Sequence, residues 1–138
     1  TFILANGAAA TGSKVSIFFT FWGLNVIKKK HGPAVKKTLT EKMFAHMLPK
    51  SSDSLALSKM NMMGMGSKMI RGIMKKKNID SLESLIRQAM DNGVEFIACQ
   101  MTMDMMGIKK EELLDGVTVG GVASYMQKAE EAGVNLFI

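Results

Sequence analysis

Three short runs of apolar, β-branched and aromatic residues, each entered through a glycine, restrict this chain more than any other feature. They are KVSIFFTF (residues 14–21) after Gly12, VEFIACQ (94–100) after Asn92-Gly93, and VNLFI (134–138) after Ala132-Gly133. Too apolar on both faces for a half-solvated hairpin, they read as buried strands of a parallel sheet. A weaker strand, GVTV (116–119), is expected between the second and the third. Two helical patterns alternate with them. SLESLIRQAMDNG places Leu82, Leu85, Ile86 and Ala89 on one stripe, with Asp80 or Ser81 as N-cap, and GGVASYMQKAEEAG does the same with Val122, Tyr125, Met126 and Ala129. Each ends in a glycine stop. Alternating helix and apolar strand gives an α/β layered domain with a mainly parallel sheet and right-handed crossovers.

A length of 138 residues suits one domain, expected to span residues 1–138. The opening TFILANGAAATG reads as the end of a helix feeding the first apolar run, so a first strand is expected upstream of Thr1. Residues 31–78 break the rhythm. Two short helical stretches, TEKMFAHML and GSKMIRGIMKKK, flank the segment PKSSDSLALSKMNMM, and the whole reads as a helical, Met-rich insertion over one end of the sheet.

Several classes of function fall away. The longest apolar stretch, VSIFFTFWGLNVI, is interrupted by Ser16, Thr20, Gly23 and Asn25 and falls short of a membrane span, which takes about 20 residues. The first residues lack the basic start of a secretory signal. A single cysteine cannot form a disulfide within the chain, which suits a reducing compartment and makes the cytoplasm the expected location. The net charge of +6 collects at Lys28 to Lys30, Lys36, Lys37 and Lys75 to Lys77, and reads as solvated helix faces and ends. Nucleic acid is not expected as a partner, because the basic runs lack interleaved aromatics or a recognition motif. His31 and His46 stand far apart with no paired cysteines, so no metal site is expected. GMGSK (64–68) lacks phosphate-loop spacing and GGVAS (120–124) lacks the third glycine of a dinucleotide fingerprint, so no cofactor is expected. The 14 methionines cluster at Met60, Met62, Met63 and Met65 and at Met101, Met103, Met105 and Met106. They read as core or interface packing ahead of a recognition surface or a soft-metal site.

The lone cysteine, Cys99, sits in ACQMTMDMMGI at the carboxyl end of the second apolar run, ahead of a segment expected to turn helical. Ligands of open α/β sheets bind outside the carboxyl ends of strands, and amides at a helix start lower a thiol's pKa. A nucleophilic thiolate and a small buried hydrophobe are both open readings at this position. Around it, Thr102 is a candidate donor to a thiolate or a cap of the next turn, and Asp104 a carboxylate for a partner amine or a cap. Gly120 and Gly121 open the last helix, where amides are available to an anion or a thiol adduct. Asn6 either lines the same crevice or ends a helix with Gly7.

ILANGAAATGSKVSIFFTFWGLNVI, EKMFAHMLP, LSKMNMMGMGSKMI, IACQMTMDMMGIKKEELLDGV and GGVASYMQKAEEAGVNLFI together resemble the DsrE/DsrF/DsrH-like sulfur-relay superfamily, in its DsrE-type, peroxiredoxin-like branch. The resemblance covers nearly the whole chain and is most specific at the strand-end cysteine followed by GGVASY. It implies a flavodoxin-like, three-layer fold and a homo-oligomer, a trimer or hexamer. It also implies a sulfurtransferase or sulfur carrier in which Cys99 accepts a persulfide sulfur and passes it to a partner such as a TusA-like or rhodanese-like protein. The rival reading is a non-catalytic oligomeric scaffold or adaptor that binds through the Met-rich insertion. Thiol peroxidase chemistry is disfavoured, because the chain holds no second cysteine to resolve a sulfenic acid.

Overall fold

The computed structural model describes residues 1–55 and 65–138. Among these, three strands form an all-parallel open sheet in the order β1 (Ser16–Phe19), β2 (Glu95–Cys99), β3 (Thr118–Gly120). Ile17 pairs with Phe96 and Phe19 with Ala98 on one side of β2, while Ala98 pairs with Val119 and Cys99 with Gly120 on the other. β2 is central and, after Glu95, wholly buried, which is why it carries no polar alternation. The β1 run lies at a sheet edge, where Ser16 is exposed and Ile17 and Phe18 are half-buried, so it is less enclosed than its apolar character implied.

Helices α1 (Phe2–Ala10) and α4 (Leu82–Asp91) cover one face of the sheet. Phe96 of β2 forms the hub there, with ring centroids 5.8 Å from Phe2 and 5.3 Å from Phe19. Ala5, Ile86, Ala89 and Val94 complete this core, with Leu82 and Leu85 packed against it, so the expected α4 stripe is the buried one. α4 starts where the sequence says it should. The Ser81 hydroxyl accepts from the Ser84 amide at 3.2 Å, satisfying one of the orphan N–H groups of the first turn. It stops in a Schellman motif: Gly93, at φ +77°, lets its own amide donate to Met90 O and the Val94 amide donate to Ala89 O at 2.9 Å.

Helix α6 (Val122–Glu131) lies on the opposite face, completing a three-layer α/β arrangement of the flavodoxin-like kind. It is held by the tilted Phe18–Tyr125 ring pair, 5.4 Å between centroids, and by Lys128 Nζ, 2.6 Å from Glu95 Oε2. Its apolar stripe falls where expected, but none of its residues is buried, and Val122, Tyr125 and Met126 face solvent. The run at residues 134–138 is not a strand. It forms no ladder and its apolar side chains are exposed, because apolar character makes a strand only where a neighbouring strand accepts its backbone hydrogen bonds. Asn135 Nδ2 instead donates to Ala129 O at 2.9 Å, folding the tail back on α6.

Between β1 and α4 the chain forms α2 (Leu39–Met47) and α3 (Met65–Lys76), the two helices expected in this region. Thr38 and Glu41 exchange cap hydrogen bonds at the start of α2, and Lys109 Nζ donates to Glu41 Oε1 at 3.1 Å. These donors hold the Glu41 carboxyl down at about 2. Met60, Met62 and Met63 lie outside the described residues. No helix among the described residues is long and apolar enough to cross a membrane.

Candidate functional site

Sheet register, rather than chain proximity, builds the site. Phe19 pairs with Ala98, so the next residue of each strand, Thr20 and Cys99, stand side by side at the carboxyl edge, and Cys99 pairs on its other side with Gly120. Strand alternation sends these three away from the Phe2–Phe96 core and toward the α6 face. Directly after Cys99 the chain turns into α5 (Gln100–Met106), as expected, with Cys99 as its N-cap residue. Thr102, one turn in, is buried among these groups, and its Oγ1 lies 2.9 Å from Thr20 Oγ1.

Cys99 is the free thiol of the chain, and it is only 2% exposed. Burial raises its pKa, since a thiolate loses solvation there. Hydrogen bonding from the Thr102 and Met101 amides and from the Thr20–Thr102 hydroxyl pair outweighs that cost, leaving the thiol below its ordinary value. Each threonine hydroxyl has one proton to give. The Thr20–Thr102 contact therefore lets one hydroxyl donate to the other while the second points its proton at sulfur. The arrangement stabilises a thiolate without any cationic side chain.

Gly120 contributes by lacking a side chain. A Cβ there would lie 3.0 Å from Ile97 Cγ2 and 3.2 Å from Ser124 Cβ, so a larger residue would press on Ile97 and on the first turn of α6 beside the Cys99 strand. Gly121, the N-cap of α6, is exposed next to it. Past Thr20 the backbone enters a 3-10 turn over Phe21–Ile27 through Phe21 at φ +44°, a conformation that a bulky L-residue adopts only under strain. That turn holds Phe21 and Trp22 in solvent, Trp22 at 67% exposure. Met101 and Met105 on α5 are likewise exposed, whereas Met103 and Met106 of the same helix are core. One methionine cluster is thus split between core and surface.

Not every expected residue converges. Asp104 faces solvent on α5, where its Oδ1 accepts from Gln100 Nε2 at 2.9 Å. It neither caps α5 nor contributes to the sulfur's hydrogen bonds. Asn6 lies on the other face of the sheet. Its Nδ2 donates to Leu85 O at 3.0 Å and ties α1 to α4, so it is a packing residue of that layer rather than part of the thiol crevice. Thr20 is the residue the sequence reading missed. Its signal was present: in a parallel sheet the residue ending one buried strand lies level with the residue ending the next. Among the described residues no group of three or more His, Cys, Asp or Glu side chains is placed to hold a metal ion.

A parallel α/β sheet that presents one hydrogen-bonded, pKa-lowered cysteine at its carboxyl edge defines a thiol-bearing protein of the flavodoxin-like architecture. Within that class, the chain belongs to the DsrE/DsrF/DrsH-like family, which it matches over residues 1–137. It is 51% identical over 137 residues to the uncharacterized protein YrkE of Bacillus subtilis (strain 168), covering 99% of this chain and 86% of that one. It is 38% identical over 138 residues to the sulfur carrier protein DsrE2 of Allochromatium vinosum, covering 99% and 87%. Family and relative together support a role in sulfur relay.

Proposed function

We propose that this protein is a sulfur carrier that loads one sulfane sulfur on Cys99 and yields it to the thiol of a protein partner. The observation that carries the reading is the Thr20–Cys99–Thr102 cluster, in a chain related to a protein named as a sulfur carrier. In loading, the Cys99 thiolate attacks the terminal sulfur of a donor persulfide. A new S–S bond forms, the donor's S–S bond breaks, and its electron pair leaves with the donor thiolate. In unloading, an acceptor thiolate attacks the terminal sulfur of the Cys99 persulfide and Cys99 leaves as thiolate. The two steps balance without an external oxidant or reductant.

Thr20 and Thr102 stabilise the thiolate both as nucleophile and as leaving group. Gly121, open to solvent at the start of α6, offers its amide to the added sulfur, and Asp104 on the outer face of α5 meets a cationic group of the partner. The exposed Phe21, Trp22 and Met101 beside the thiol provide an apolar rim for a TusA-like or rhodanese-like protein. The exposed stripe of α6 supports assembly into a homo-oligomer, a trimer or hexamer, and a lone thiol fits work in the cytoplasm.

The test is intact mass after incubation with a rhodanese-type persulfide donor. The wild type is expected to gain one sulfur, about 32 Da, reversibly on reduction, and Cys99→Ser to gain none while keeping its oligomeric state. No gain, with a thiol that also resists alkylation in the folded protein, would make Cys99 a core residue and favour the adaptor reading.

A further inference from the structure

The segments that leave the carboxyl ends of β1 and β2 meet again away from Cys99. Lys28 and Leu113 form an isolated antiparallel bridge, the Lys29 amide donates to Glu112 O at 2.8 Å, and the Leu114 amide donates to Ile27 O at 2.9 Å. Beside this junction lies a cavity of ≈ 290 Å³ lined by Lys28, Lys29, Lys37, Lys50 and Glu112, with Val35 on its apolar wall.

Charge is out of balance in this cavity. Glu112 Oε1 accepts from Lys37 Nζ at 2.8 Å, and the Lys29 ammonium is taken by Asp115, also at 2.8 Å. Lys28 is 8% exposed, yet among the described residues its ammonium donates to one acceptor only, Pro49 O, at the long distance of 3.5 Å. An ammonium carries three protons, and a buried cation with one weak acceptor is costly unless a further acceptor joins it. Lys50 adds a second positive charge at the exposed rim. Neither Lys28 nor Lys50 has a carboxylate within ion-pair distance among the described residues.

We propose that this cavity is a binding site for a small-molecule phosphate-type dianion, with Lys28 as its buried ligand and Lys50 as its outer one. Two unmatched positive charges fit a double negative charge. The space exceeds that of a bare tetrahedral ion, and the Val35 wall accepts an organic body. Burial, aided by the nearby Lys37 charge, pulls the Lys28 pKa below its ordinary value against the opposing pull of Glu112; a bound dianion would offset that cost. The proposal stands apart from the chemistry of Cys99.

The experiment is a ¹H–¹⁵N NMR titration of the full chain with sodium phosphate and with phenyl phosphate at constant ionic strength, using sodium chloride as control. Saturable shifts at the amides of residues 28–37 and 112 are expected in wild type and equally in Cys99→Ser. Lys28→Met should weaken binding roughly tenfold or more, the loss expected when a charged hydrogen-bond partner is removed. Tighter binding of phenyl phosphate would assign an organic monoester, and equal binding the inorganic ion. Shifts that match those of chloride, or an unchanged affinity in a folded Lys28→Met, would overturn the proposal. If that variant does not fold, Lys50→Gln serves in its place with an expected loss of about threefold, and an unchanged affinity there would overturn the proposal equally.

Discussion

The two faces of the sheet are made from the same strands and do opposite work. On the α1/α4 face, Phe2, Phe19 and Phe96 interlock and α4 buries Ile86 and Ala89. On the α6 face, one ring pair and one ion pair hold a helix with no buried residue. Stability resides on the first face. The second carries Cys99 and leaves apolar groups around it uncovered.

If this division is right, equal truncations on the two faces have unequal consequences. Phe96→Ala removes the hub of the packed face and should cost about 3–5 kcal/mol in urea unfolding. Tyr125→Ala, which removes only the ring contact with Phe18, should cost about 1 kcal/mol or less. Equal losses would erase the distinction. A Tyr125→Ala loss that grows with protein concentration would sharpen it, by showing that α6 stability comes from a second copy.

Chemistry on the open face gives a finer test. Thr102→Val keeps the shape but deletes one hydroxyl of the Thr20–Thr102 pair that supplies a proton to the sulfur. Burial then acts with fewer opposing donors, so the Cys99 pKa should rise and alkylation by iodoacetamide at neutral pH should slow. An unchanged midpoint in the pH dependence of the alkylation rate would refute the donor role.

The smallest effect concerns the ion pair that tethers α6. Donation from Lys128 and then Ser16 holds Glu95 below its ordinary value, against an opposing effect of burial. A depressed carboxylate pKa adds stability that is present above the unfolded value of 4.5 and fades as pH falls through the folded one. Both partners are 40% exposed, so the contribution is only a few tenths of a kcal/mol. Lower protection of α6 amides on acidification, relative to their intrinsic exchange rates, with α4 protection unmoved, would reveal it, and uniform loss of protection on both faces would contradict the division.

Much of this was legible in the chain. The SLESLIRQAMDNG pattern specified α4 from the Ser81 cap to the Gly93 stop, because caps and stripes are local properties. The strand ending at Cys99 and the helix beginning at Gln100 were equally legible from an apolar run that stops at a polar residue. Thr20 was not, since 82 positions separate it from Thr102 and only strand register joins them. Neither reading of Asn6, lining the thiol crevice or ending a helix with Gly7, foresaw its bond to Leu85 O, because an Asn-Gly pair does not announce which helix supplies the partner carbonyl.

By itself, then, the sequence determined helices α4, α5 and α6 and the three strands of the sheet, that these strands run parallel, and that one thiol ends the central one. These follow from periodicity, caps and the absence of polar alternation, all readable within a dozen residues. Only the tertiary structure decided that residues 134–138 stay out of the sheet, that the α6 stripe faces solvent, and that two threonine hydroxyls turn toward the sulfur. Each depends on what lies across space from the residue, and pairing across a sheet is set by register and layer rather than by neighbours along the chain.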